Sequence, residues 1–413
     1  MKQAPRSTSS DKPVQSSDHK FAVLAGFLGW TLDAFDFFLV GLSLTAIGET
    51  FFKGSPKEAD KAIAFSITLT LAFRPIGALI FGMLADRYGR RIPLMINLVF
   101  YSIIEVASGL APNLTTFLVL RALFGIGMGG EWGVGASLVM EKVPPRLRGL
   151  LSGLLQEGYA MGYLLAAVCF FFVLPKWGWR PMFFIGGLPA LLAILVRMKV
   201  KESEVWQKTK HDTWGDLGRG IASHWKLFLY LAVFMMAMNF VSHGTQDIYP
   251  TFLKRKWGYG PETIAKVTAF SMIGAIIGGL AFGRLSDRIG RRRSIVTALL
   301  LAILMLPVSI FAPSVTLLAV GAFCLQFMVQ GAWGVIPAHI NELSPDSVRG
   351  FLPGFAYQCG VAVAGSIVYM QAALADHIDY RYAFGATALA AFIFGAIAAG
   401  VGKERKGIIF GET

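Results

Sequence analysis

Charge is scarce in this chain. Only 15% of its 413 residues are Asp, Glu, Lys or Arg, against roughly 25% in an ordinary soluble protein. With a mean hydropathy of +0.58, that shortage excludes a mostly soluble enzyme carrying one anchor. Strict apolar/polar alternation in ten-residue segments is also missing, which excludes a transmembrane β-barrel. The three cysteines, Cys169, Cys324 and Cys359, fall inside apolar runs with no metal-like spacing, and read as small core residues. Six histidines, no His-Glu-x-x-His, no Gly-x-Ser-x-Gly and no paired carboxylates leave no enzyme and no cofactor or metal to expect.

What is abundant is apolar surface: 55% hydrophobic residues, with 33 Phe and 46 Gly. Runs long enough to cross a bilayer recur along nearly the whole chain. They predict twelve spans, at about 21–46, 61–85, 92–111, 113–139, 147–174, 179–198, 225–251, 262–285, 294–312, 314–339, 350–374 and 380–401. The net charge of +13 is an orientation signal and implies no nucleic-acid partner. With a cytoplasmic amino terminus, the 38 Lys and Arg divide into 26 inside, 10 outside and two in the membrane, Arg74 and Arg121. That bias predicts both termini in the cytoplasm and a plasma (cytoplasmic/inner) membrane location.

The sequence repeats itself at an offset of 201 residues. Gly82-x-x-x-Asp86-Arg87-x-Gly89-Arg90-Arg91 falls on Gly283-x-x-x-Asp287-Arg288-x-Gly290-Arg291-Arg292. Trp132-Gly133-Val134 falls on Trp333-Gly334-Val335, and Glu141, Pro144, Arg148 and Gly149 on Glu342, Pro345, Arg349 and Gly350. The expected layout is a disordered tail over 1–20, six helices over 21–198, a cytoplasmic linker over 199–224, six helices over 225–402 and a tail over 403–413. The duplicated loop joins the second and third spans of each half. Its arginines alone could enforce topology, but the repeated Asp and Gly predict a gating role for Asp86, Arg90, Asp287 and Arg291.

This loop, the six-plus-six layout and Arg121-Ala-Leu-Phe-Gly125-Ile-Gly127 resemble the major facilitator superfamily. The resemblance implies an all-α membrane protein of twelve transmembrane helices in two pseudo-symmetric bundles. Substrate would bind near the midplane, with access alternating as the halves rock, and the loop motif would latch the inner side. A monomer is expected to suffice.

A charge at the bilayer centre costs roughly 2.5–3.5 kcal/mol on insertion scales, so each one needs a reason. Arg74 lies at the midpoint of span 2, before Pro75. Asp33 and Asp36 lie in span 1, Arg121 and Glu131 in span 4, and Glu157 in span 5. Arg74 is either a counter-ion for these acids or an anion anchor, the reading favoured because a guanidinium matches a carboxylate with two parallel hydrogen bonds. Arg121 is the second candidate. In span 7, Asn239, His243 and Gln246 fall within about 60° of one another at about 100° per residue. His243 and Asp247, four residues apart, add titratable chemistry to that stripe.

Here the resemblance narrows. Asn239, Ser242, His243, Thr245, Gln246, Asp247 and Thr251 match Asn-x-x-(Ser/Thr)-His-x-(Ser/Thr)-Gln-Asp-x-x-x-Thr, the signature of Jen-type permeases in the lactate and sialate:proton symporter branch. Trp30-x-x-Asp33-Ala-Phe-Asp36 and Phe73-Arg74-Pro75-Ile-Gly77 are similar to the same branch. The resemblance implies proton-coupled uptake of lactate, pyruvate or related short monocarboxylates. Asp33, Asp36, Glu131 and the His243–Asp247 pair are the candidate proton carriers. A sialic-acid or aromatic-acid symporter of the same fold is the alternative. A proton-linked drug antiporter is a third, disfavoured because Gly158 and Gly162 in span 5 have no proline beside them.

Overall fold

The computed structural model describes residues 16–51, 56–211, 213–247 and 249–412, and every regular element among them is helical. The first half contains α1 (Ser16–Leu42), α2 (Leu44–Phe51), α3 (Pro56–Tyr88), α4 (Arg91–Gly109), α5 (Leu114–Lys142), α6 (Arg148–Gln156), α7 (Gly158–Trp177), α8 (Arg180–Ile185) and α9 (Pro189–Lys199). After it come α10 (Glu204–Thr209) and α11 (Trp214–Ser223), within the stretch read as a linker. The second half contains α12 (Trp225–Gln246), α13 (Tyr249–Trp257), α14 (Pro261–Ile289), α15 (Arg291–Phe311), α16 (Val315–Leu343), α17 (Leu352–Ala375) and α18 (Tyr380–Val401).

Eleven helical segments among the described residues are long and apolar enough to cross a membrane. The twelfth pass, Arg180–Val196, is apolar but short. It is broken between α8 and α9 at Gly186-Gly187-Leu188-Pro189, where two poor helix formers precede a residue with no N–H. α3, by contrast, runs unbroken through Pro75. Most of the tail expected over 1–20 lies outside the described residues; α1 already starts at Ser16.

Local signals repeat with the sequence. Asn113 caps α5 by accepting from the Thr116 amide, and Ser314, its counterpart in the repeat, caps α16 by accepting from Leu317. Gly89 and Gly290 turn the chain between consecutive helices at φ +99° and +101°, where a side chain would be strained. Packing repeats as well: α3 lies on α5 and α1 on α7 in one bundle, α14 on α16 and α12 on α17 in the other. Between bundles, α6 packs on α14 and α16, and α17 packs on α3 and α5. Two six-helix bundles therefore meet along one seam.

Candidate functional site

At the loop-motif end the seam is closed by two copies of one charge network. Asp86 accepts from the Gly350 and Phe351 amides at 2.7 and 2.9 Å, at the start of α17 in the other bundle. Asp287 accepts from Gly149 and Leu150 at 2.8 and 3.0 Å, at the start of α6. Each carboxylate thus satisfies orphan amides at a helix N-terminus, where the dipole also favours negative charge. Arg90 bonds Asp86 and Glu141, and Arg291 bonds Asp287 and Glu342. Burial works against the charge on Arg90, yet Glu141 and Asp86 outweigh it and hold the guanidinium more firmly protonated than usual. Arg148 reaches Glu342 and Arg349 reaches Glu141 across the seam, at 3.5 and 3.7 Å.

Two flanking segments seal this end. Glu202 accepts from the Arg90 and Arg91 amides, and Trp206 of α10 donates to the Asp86 carbonyl. The stretch read as a polar linker is therefore docked on the loop. The segment after α18 is docked too: the Phe410 ring lies between Arg148 and Arg349, one guanidinium from each bundle, 3.6 and 3.7 Å from its centroid. Asp86→Asn keeps the size of the side chain but loses the charge shared by two amides. At about 1.5–3 kcal/mol for a charged hydrogen bond, the expected result is a shift of roughly 10- to 100-fold toward opening at this end. Cysteine labelling from the two sides of the membrane reads that shift, and substrate affinity should barely change. An unchanged labelling pattern with normal transport would sink the latch.

Above this network the two bundles leave a cavity between them. Trp30 and Phe37 of α1, Leu71 and Arg74 of α3, Gln156 and Tyr159 line it from the first bundle. Asn239, Ser242 and His243 of α12, Gln330 and Trp333 of α16, and Tyr357 and Val361 of α17 line it from the second. Arg74 is held in place because Gly125 and Gly129 let α5 approach α3 closely. A Cβ on Gly129 would sit 1.9 Å from the Arg74 carbonyl oxygen. The guanidinium lies 5.8 Å from the Tyr357 ring centroid, and its Nε and Nη2 are buried with no hydrogen-bond partner. Exposure rises away from the latch: Asn239 is buried, His243 is 25% exposed at its side chain and Asp247 49%. His243 Nδ1 pairs with Asp247 Oδ2 at 2.7 Å.

The structure separates other residues that the sequence grouped. Gln246 turns from the cavity, accepting from Ser242 and donating to Gln326 of α16 at 2.8 Å. Arg121 lies inside the first bundle, donating to Glu105 at 2.6 Å and to Ser108, with the Phe117, Phe124 and Phe183 rings around it. As a substrate ligand Arg121 is therefore misplaced: its charge is already neutralised by Glu105 on α4. Asp36 keeps company with that pair, since Gly186 abuts both Asp36 Oδ1 and the Glu105 side chain. Glu131 packs against Gly29 of α1. Asp33 stands between the two groups, within electrostatic reach of Arg74, Glu105 and Glu131. Both carboxylate oxygens of Asp33, Asp36 and Glu131 are buried without hydrogen-bond partners.

Sequence reasoning missed Glu105, Gln156, Tyr159, Gln330, Trp333 and Tyr357. Glu105 was findable, as an acid inside the third apolar run. Tyr357 and Gln156 occupy equivalent positions of the repeat; Trp132 touches both, with its ring 4.4 Å from Tyr357 and its Nε1 3.4 Å from Gln156 Oε1. Nothing in their local sequence marks them as cavity residues.

Residues 21–216 match a family model described as sugar (and other) transporter, and residues 245–407 one described as major facilitator superfamily. The chain is 30% identical to a probable 4-methylmuconolactone transporter of Cupriavidus pinatubonensis, over 95% of this chain and 92% of that one. It is 28% identical to the sialic acid transporter NanX of Escherichia coli, over 88% of each. A carboxylic acid transporter protein homolog of Saccharomyces cerevisiae is 27% identical over 85% of this chain, which spans 60% of that relative's length. The proton:xylose symporter XylE superposes with a TM-score of 0.75 at 20% identity, covering 96% of this chain and 98% of that one.

Proposed function

From the premise that this chain is a transporter belonging to the major facilitator superfamily, we propose that it carries short monocarboxylates such as lactate and pyruvate together with protons, by alternating access. One observation carries the reading: Arg74 presents a buried guanidinium, with two unpartnered nitrogens, at the wall of a cavity between the bundles. A carboxylate supplies the paired acceptors that these two nitrogens lack. Asn239 and His243 face it from the other half, so substrate binding draws the two bundles together. The latch network closes the cytoplasmic side while the cavity communicates with the exterior past Asp247.

Protons make the step electroneutral. A carboxylate moving alone against an inside-negative potential costs about 2.3 kcal/mol per 100 mV, and one accompanying proton cancels that charge. Uptake of labelled lactate into proteoliposomes tests the proposal. With the exterior made acidic, accumulation of about tenfold per pH unit is expected for one proton per substrate. Equal uptake with and without the gradient would overturn symport.

A second reading has its own support. Trp30, Phe37, Tyr159, Trp333 and Tyr357 give the cavity aromatic walls, which suit a planar unsaturated acid by ring stacking. Competition for lactate uptake by benzoate, nicotinate and sialate separates the readings. An aromatic acid that competes at a tenth of the lactate concentration makes lactate the lesser substrate.

A further inference from the structure

One carboxyl group sits on the seam itself with nothing to stabilise its charge. Glu157 marks the bend between α6 and α7, is 4% exposed, and has both oxygens buried without a hydrogen-bond partner. It points across the seam and does not line the cavity. Its Oε1 crowds Gly279 of α14 so closely that a Cβ there would lie 1.9 Å away, and that same Cβ position is 3.5 Å from the backbone carbonyl oxygen of Gln330 on α16.

The internal repeat supplies the comparison. At the offset of 201, Glu157 corresponds to Gln358 and Gln330 to Gly129. Gln358 Nε2 donates across the seam to the Gly129 carbonyl at 3.3 Å. One copy therefore sets an amide N–H against a carbonyl, and the other brings a carboxyl group and the equivalent carbonyl to the same face of Gly279. Two acceptors cannot satisfy each other, whereas a protonated carboxyl is a donor as the glutamine amide is.

We propose that Glu157 is a proton-binding site of the seam: its neutral carboxyl donates O–H to the Gln330 carbonyl while the bundles are closed over it. The proton passes to water, leaving a carboxylate, when the bundles part at the loop-motif end. The proposal rests on the alternating-access part of the function above and not on its substrate.

Titratable groups on the neighbouring elements are turned elsewhere. α1 presents Phe27, Trp30 and Thr31 to the bend, while its Asp33 and Asp36 interact with Arg74 and Glu105. On α5, Glu131 packs on Gly29. On α14, Glu262 pairs with Lys266, and Arg284, Asp287 and Arg288 follow toward the loop. On α16, His339 abuts Phe234 and Glu342 bonds Arg291, while Tyr159 of α7 stacks on Trp30. Among the described residues, no charged side chain offsets the burial of Glu157.

The sign follows from linkage. A proton held in the closed state and released in the open one favours closure at low pH. The open-to-closed ratio should rise by up to about tenfold per pH unit where the site titrates. The test uses the full chain without substrate, with Cys169, Cys324 and Cys359 replaced by serine and Leu151→Cys as reporter. Leu151 is half-buried in the cluster that contains Ala338 of α16. Maleimide labelling, normalised to the unfolded protein, should accelerate as pH rises, and Glu157→Gln should flatten that dependence. The infrared difference spectrum, parent minus Glu157→Gln, should show a protonated-carboxyl C=O band over and above any from Asp33, Asp36 and Glu131. Gln358→Glu, which copies the acid to the twin position, should add a second band and steepen the labelling profile. A profile as steep in Glu157→Gln as in the parent, a difference spectrum without that band, or a Gln358→Glu variant indistinguishable from the parent would overturn the assignment. Because no substrate is present, failure here leaves the carboxylate reading untouched.

Discussion

Replacing Arg74 with alanine is expected to abolish measurable lactate and pyruvate binding while leaving the protein folded. The buried guanidinium has two nitrogens without partners, so an incoming carboxylate gains charge-assisted bonds without displacing any existing one. Taking the cation away leaves the bound anion buried and unpaired. Breaking a buried pair in this way costs about 3–5 kcal/mol, roughly two to four orders of magnitude in affinity. Arg74→Lys keeps the charge but loses the planar two-point match, and Lys is the more strongly hydrated cation. Its binding should fall well below the parent and stay above that of alanine. Asn239→Ala removes a polar group on the opposite wall, and should weaken affinity by about tenfold while loosening selectivity. Calorimetric titration of purified variants reads all three, with thermal unfolding as the folding control. Parent-like binding by Arg74→Ala would remove the anchor. Arg121 could not replace it, since Glu105 already holds that guanidinium away from the cavity.

The fold class is legible because a bilayer imposes a coarse code: apolar runs of fixed length, basic flanks and, in this chain, a repeat with a constant offset. Each of these is read along the chain, without knowing which helices touch. The break in the sixth pass is also legible, as Gly-Gly-Leu-Pro, but composition averaged over the run conceals it. The site is legible only in part. Arg74, Asn239 and His243 reach one cavity because charge and polarity at mid-helix have few other uses. Gln246 lies on the same helical stripe yet bonds Gln326, since a stripe about 60° wide can face a neighbouring helix and a cavity at once. The partnership of Arg121 with Glu105 and the clamp on Phe410 depend on which helices are neighbours. That information resides in tertiary packing, and no spacing along the chain encodes it.

Neutralising Asp33 is expected to separate binding from accumulation. Its carboxylate oxygens are buried and unpartnered, and Arg74 is the opposite charge it feels most. An ionised Asp33 draws Arg74 toward itself; a protonated one leaves the guanidinium to the substrate. The proton and the anion would then be coupled through a single cation, each favouring the other's binding to the same degree. Asp33→Asn fixes the protonated state. Substrate binding should survive and lose its dependence on pH, and exchange of internal for external lactate should continue. Accumulation driven by a pH gradient should disappear, because no proton enters with the anion. Glu131→Gln should have a smaller effect, since Glu131 packs against Gly29 and Asp33 is the charge it feels. Asp36→Asn should be milder still, because Asp36 belongs to the Glu105–Arg121 group away from the cavity. Paired measurements of counterflow and gradient-driven uptake in proteoliposomes distinguish these outcomes. If all three acids can be neutralised with accumulation intact, the proton travels on the His243–Asp247 pair, and His243→Gln is the variant that must then abolish it.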